Sequence, residues 1–119
     1  MNDTHGRDGI GWIGVDFDGT LVEYTGWKGA THIGKPVSAM VERVRKWIAE
    51  RKDVRIFTAR VSPGPDMEAS RASIARWCII YLGKELPITC IKDARMIELW
   101  DDRAVQVEPN TGNRIDGKE

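Results

Sequence analysis

The sequence predicts an α/β fold: a mainly parallel sheet of five strands with helices on both faces, three layers in all. Three observations predict it. Strand-like apolar runs alternate with helical periodicity between residues 10 and 109. The first run, "IGWIGVDF", is apolar almost throughout, as in a strand covered on both faces. Strands that alternate with helices call for parallel pairing and right-handed crossovers.

Residues 1–9, "MNDTHGRDG", are polar and glycine-rich and read as a flexible leader. The first strand covers residues 10–17 and is broken by "DGT". "LVEYTGWKGATHIGK" has no helical period and reads as a loop or small hairpin. Val37, Met40, Val41, Val44, Trp47 and Ile48 recur at three- and four-residue spacing and predict a helix, with Pro36 in its first turn. "VRIFTA" is a second strand ending at Thr58. Asp66 is a candidate N-cap for a second helix, whose stripe is Ile74, Trp77, Cys78 and Tyr81 and whose stop is Gly83. "ITCIK", "MIELWDD" and "AVQVEP" read as strands three, four and five. The folded domain thus spans residues 10–109, and 110–119 read as a flexible tail. Trp12, Trp47, Trp77 and Trp100 lie in apolar periodic segments and are assigned to the core.

A chain of 119 residues is a single domain by length. It carries 18 basic and 18 acidic residues, so no broad basic surface for nucleic acid is evident, although a local patch is compatible with that balance. Cys78 and Cys90 sit in apolar surroundings outside any CxxC pattern and read as buried free thiols. No signal peptide or membrane span is legible, and the expected compartment is the reducing cytoplasm.

In open α/β sheets, sites form beyond the C-terminal strand ends. The first strand ends in Asp16-Phe17-Asp18, the second in Thr58 followed by Ala59 and Arg60, the third in Lys92, and the fourth in Asp101-Asp102 followed by Arg103. Taken singly these are ordinary features. Asp and Gly favour turns, Thr favours strands, and lysines are usually solvated. Together they gather carboxylates, a hydroxyl and an ammonium at one sheet edge. Several carboxylates around one point call for a hard divalent cation such as Mg²⁺. That cation would relieve the repulsion of Asp16 and Asp18 and draw in a phosphate. An aspartate could then act as nucleophile.

"VDFDGT", "FTAR", Lys92 and "WDDRA" resemble, in order, the four motifs of the haloacid dehalogenase (HAD) superfamily, over residues 12–107. The resemblance implies a Rossmann-like fold, Mg²⁺ as cofactor, and phosphatase activity through an aspartyl-phosphate. The second aspartate of the DxD motif is present, which sets the chain apart from true dehalogenases. By resemblance Asp16 is the nucleophile and a metal ligand. Asp18 is the acid and base, with its backbone carbonyl on the metal. Thr58 holds a phosphoryl oxygen, and Lys92 stabilises the nucleophile and the transferring group. Asp102 is the direct metal ligand, while Asp101 binds metal-bound water or orients Lys92. The "TAR" segment adds Ala59 and Arg60 to the substrate-binding set. Lys84 and Arg95 are rivals of Lys92, which is favoured by its place at a strand end.

Residues 21–34 correspond to the family's flap, and no segment is long enough for a cap domain. An open site of this kind suits a large substrate or cover by a neighbouring subunit of a homo-oligomer. Trp27, Lys28 and His32 are the nearest flap candidates for substrate contacts, against flap packing for Trp27 and a surface role for His32. Arg60 and Arg103 either clamp a phosphate bidentately or pair with a site carboxylate. The expected function is Mg²⁺-dependent hydrolysis of a phosphomonoester, whether nucleotide, metabolite or polynucleotide end. The alternatives are a receiver-like phospho-acceptor signalling domain and a non-catalytic binding protein on a HAD scaffold.

Overall fold

The computed structural model describes residues 10–118. The leader expected over 1–9 lies outside the described residues. β1 (Trp12–Asp16), β2 (Asp53–Phe57), β3 (Ile88–Thr89) and β4 (Met96–Trp100) form an all-parallel sheet in the order β3-β2-β1-β4. Helix α1 (Ser38–Ala49) joins β1 to β2, and α2 (Met67–Leu82) joins β2 to β3. A similar α/β arrangement was expected, with two differences.

First, the described residues make a sheet of four strands. The "AVQVEP" alternation finds no apolar face to cover: Val105 and Val107 are 52% and 48% exposed. This segment instead bonds to the stretch of chain just beyond it. Glu108 N donates to Asn113 O at 2.7 Å, and Ile115 N to Gln106 O at 2.9 Å. Part of the expected tail is thus paired.

Second, the described helices cover one face. The path β1→β2→β3 crosses the sheet in a single direction, so two right-handed crossovers put α1 and α2 on the same side. The core confirms this. Ile13, Val15 and Phe17 of one strand face cluster with Met40, Val44 and Trp47 of α1 and with Ile74, Trp77 and Leu82 of α2. Phe17 meets Trp77 edge-on at 5.3 Å between centroids. By strand alternation Trp12, Gly14 and Asp16 point to the other face. There the segment returning from β3 to β4 crosses the sheet, and Trp12 Nε1 donates to Asp93 Oδ1 at 2.8 Å. That return explains why the expected third strand, residues 88–92, pairs only over Ile88–Thr89: the chain must leave the sheet to reach β4.

Element ends obey local chemistry. Asp66 occupies the N-cap position of α2 but its side chain makes no capping bond. Gly83 stops α2 in the left-handed region at φ 75°, where a β-carbon would be strained. Pro36 lies just before the N-cap Val37 of α1, where it bridges Val22. Glu23 N donates to Lys35 O and Val37 N to Leu21 O, which closes residues 21–37 as a hairpin flap beside the end of β1. The assigned tryptophans do pack: Trp12, Trp47 and Trp77 are buried, and Trp100 lies against Trp47 at 5.2 Å. Cys78 is buried and free, and Cys90 is free but only half-buried.

Candidate functional site

Asp16 is the last residue of β1, which lies between β2 and β4. Neighbouring strands run about 5 Å apart, so the residues just past the end of β4 fall beside Asp16. Those residues are Asp101 and Asp102. Carboxylate oxygens of Asp16, Asp101 and Asp102 all lie within 4.8 Å of one another.

Thr20 ties this cluster together. Its Oγ1 is 3.2 Å from Asp16 Oδ2 and 3.3 Å from Asp102 Oδ1, and it accepts the Asp102 backbone N–H at 3.0 Å. One hydroxyl proton serves only one of the two carboxylates at a time. The turn that delivers Thr20 needs Gly19. Its φ is +91°, and a β-carbon there would stand 2.5 Å from Asp102 Oδ2. Close approach of Asp102 and positive φ therefore make the same demand.

Crowding has an electrostatic cost. Burial, then the hydrogen bond with Asp102, then the charge of Asp101 push the Asp16 carboxyl up from 3.8 to about 7. Three acidic side chains converging with no cationic side chain among them suit a hard divalent cation, which takes oxygen ligands and neutralises that repulsion.

Asp18 belongs to a different contact. Arg60 grips it with both arms, Nε to Oδ2 at 2.7 Å and Nη2 to Oδ1 at 2.8 Å. The guanidinium is 6% exposed and the carboxylate 19%. Arg60 thus pairs with a site carboxylate rather than standing free for a phosphate. The Asp18 side chain is outside the acidic cluster of Asp16, Asp101 and Asp102.

Thr58 caps a short 3₁₀ turn, Ala59–Val61, just beyond β2. Its Oγ1 accepts the Arg60 backbone N–H at 3.1 Å, which leaves its hydroxyl proton to donate elsewhere. Thr58 is 3% exposed yet lines a cavity of about 470 Å³. That cavity also takes in Asp16, Asp18, Ala59 and Arg60. Four carboxylates border it, Asp16, Asp18, Asp66 and Asp102, against the two guanidiniums of Arg60 and Arg103.

Lys92 is not brought to this point. It is exposed in the return segment, outside the cavity lining, and no hydrogen bond or ion pair joins it to Asp16 or Asp101. The third strand ends at Thr89, so the assumption that Lys92 sits at a strand end fails. Asp101 also lies outside the cavity lining and accepts the Arg103 backbone N–H at 2.8 Å. Lys28 and His32 border a smaller space of about 220 Å³ on the flap, which shares Asp18, Tyr24 and Arg60 with the main cavity.

Sequence reading missed Thr20 and Tyr24. Thr20 was legible only as the last letter of "DFDGT", and its role depends on where Asp102 arrives, 82 positions later. Tyr24 lines the cavity, half exposed.

No family model matches this chain, and no curated protein does. A solved structure of a conserved protein from Bacteroides thetaiotaomicron is similar to it, with a TM-score of 0.56 and 22% identity over 85% of this chain and 83% of that one. At that identity the likeness concerns the fold, an α/β arrangement around a parallel sheet.

Proposed function

We propose that this chain is a divalent-cation-dependent phosphomonoester hydrolase of the HAD type, with Asp16 as nucleophile. The observation that carries this reading is the convergence of Asp16, Asp101 and Asp102 oxygens within 4.8 Å at the C-terminal sheet edge, beside a cavity reached by Thr58. Asp16 and Asp102 fit a bound Mg²⁺ as direct ligands, for their carboxylates converge and share the Thr20 hydroxyl. Asp101 completes the acidic set. When bound, the cation supplies charge neutralisation for the phosphoryl oxygens. The cavity wall, with four carboxylates against two guanidiniums, otherwise opposes an anionic substrate.

The chain's own groups account for the rest. An Asp16 oxygen attacks phosphorus, the P–O ester bond breaks, and the leaving oxygen takes a proton from Asp18, which carries that proton on an oxygen released from the Arg60 fork. Water then attacks the aspartyl-phosphate, Asp18 takes its proton, and inorganic phosphate leaves with Asp16 restored. Arg60 fixes the orientation of the Asp18 carboxylate through both oxygens. Thr58 donates its hydroxyl proton to a phosphoryl oxygen. Lys92 has no part unless the return segment shifts, so its family role is not adopted.

The test is hydrolysis of a generic aryl phosphate. Turnover should need Mg²⁺, stop with chelator and vanish in Asp16→Asn. Normal turnover by a pure Asp16→Asn preparation would sink the mechanism. Prompt release of phosphate also separates this reading from a receiver-like domain, which would hold it.

A further inference from the structure

The cavity beside the acidic cluster is walled on its flap side by two aromatic rings. Tyr24 and Trp27 both line it, and they are 49% and 51% exposed. Large rings left half bare on a flap carry a solvation cost that core packing does not offset here. Trp27 is not loose. The Arg60 guanidinium lies 5.1 Å from its ring centroid, and that guanidinium is buried and clamped by Asp18 at 2.7 and 2.8 Å. One side of the ring is therefore supported by a fixed cation, and the ring also borders the cavity. We infer that Trp27 is a stacking platform for a planar base, and that the substrate is a nucleoside monophosphate. This rests on the phosphomonoester reading above.

The spacing favours a nucleotide over an aryl phosphate. Asp18 takes the Nε and Nη2 edge of the Arg60 guanidinium and the Trp27 ring meets the same group at 5.1 Å, so a base stacked on Trp27 and a phosphate at the carboxylates are two separate contacts. An aryl phosphate joins its ring to phosphorus through a single oxygen and has no spacer between the two. A nucleotide has a sugar between base and phosphate. A cavity of about 470 Å³ has room for base and sugar together. Arg103 lines the same cavity, and its guanidinium makes no ion pair among the described residues. It is free to meet the phosphate or a sugar hydroxyl. Base–aromatic stacking is worth about 1–3 kcal/mol and tolerates every base. The preference should accordingly be for having a base, with little choice among bases.

The experiment is calorimetric titration with Mg²⁺ present, using Asp16→Asn so that no ligand is consumed. Adenosine monophosphate should bind about 5- to 150-fold more tightly than ribose 5-phosphate, the fold-change that stacking energy implies. In a background also carrying Trp27→Ala the ratio should fall to about twofold or less, and Trp27→Phe should restore most of it. Equal binding of the two ligands overturns the proposal, as does a ratio that survives Trp27→Ala. Wild-type turnover is read separately. Hydrolysis of both ligands with equal binding refutes the platform and spares the phosphatase. A Trp27-dependent preference without any hydrolysis does the reverse.

Discussion

Ionisation of Asp16 links the site to the stability of the fold. Without a cation, burial and the neighbouring Asp102 and Asp101 raise its carboxyl from 3.8 to about 7. Between those values the folded protein keeps a proton that the unfolded chain releases. The contribution of Asp16 to stability is then intact below about pH 4, declines as pH rises, and is lost above about pH 7. Three pH units at about 1.4 kcal/mol each set a ceiling of about 4 kcal/mol. Asp16 is only half-buried and faces an open cavity, so solvent screening brings the expected loss to about 1–2 kcal/mol. In a domain of this size that is a fall of about 5–10 °C in Tm. Thermal unfolding in chelator at pH 5 and pH 8 measures it, with Asp16→Asn as reference because titrating groups remote from the cluster cancel in the difference. Wild type should lose about 3–7 °C more than the variant, because roughly two of the three pH units lie above pH 5. Mg²⁺ should then stabilise wild type more at pH 8 than at pH 5, since it competes with the Asp16 proton. Identical pH profiles for wild type and Asp16→Asn would refute the reasoning.

Two further variants probe the supports of the cluster. Gly19→Ala places a β-carbon 2.5 Å from Asp102 Oδ2 at φ +91°. It should cost about 1–3 kcal/mol in denaturant unfolding and raise the Mg²⁺ needed for half-maximal turnover about tenfold or more; an unchanged Mg²⁺ requirement would contradict this placement of Asp102. Arg60→Ala strips both donors from a carboxylate that is 19% exposed, and should cost about 2–3 kcal/mol in urea unfolding, with Arg60→Lys intermediate because one ammonium cannot form the fork. A loss under about 0.5 kcal/mol for Arg60→Ala would show that the pair holds nothing together.

The helices and the first strand were legible because their signals are local. A three- and four-residue apolar stripe specifies a helix face wherever the helix later packs, and Gly83 stops α2 by its own backbone freedom. Strand order is not local. Nothing in "VRIFTA" or "ITCIK" says that β1, β2 and β3 succeed one another in one direction, and that succession alone puts both described helices on one face. The "AVQVEP" alternation marks two faces but not whether a core awaits either one. The same distinction divides the site. Asp16, Thr58 and Asp102 were readable as strand ends. Lys92 was misplaced because β3 ends at Thr89 and the chain departs across the sheet. The Arg60 clamp on Asp18 spans 42 positions, and Thr20 meets Asp102 across 82. Such contacts are decided by how the loops close over the sheet edge.

The central claim is that phosphate passes through Asp16. Protein mixed briefly with substrate and Mg²⁺ and quenched in acid can be digested and mapped by mass spectrometry. The account predicts a transient phosphate on the peptide bearing Asp16, absent from Asp16→Asn and from chelated samples. Full turnover with no phosphorylated peptide at any time, or phosphate carried on a peptide that lacks Asp16, would contradict it.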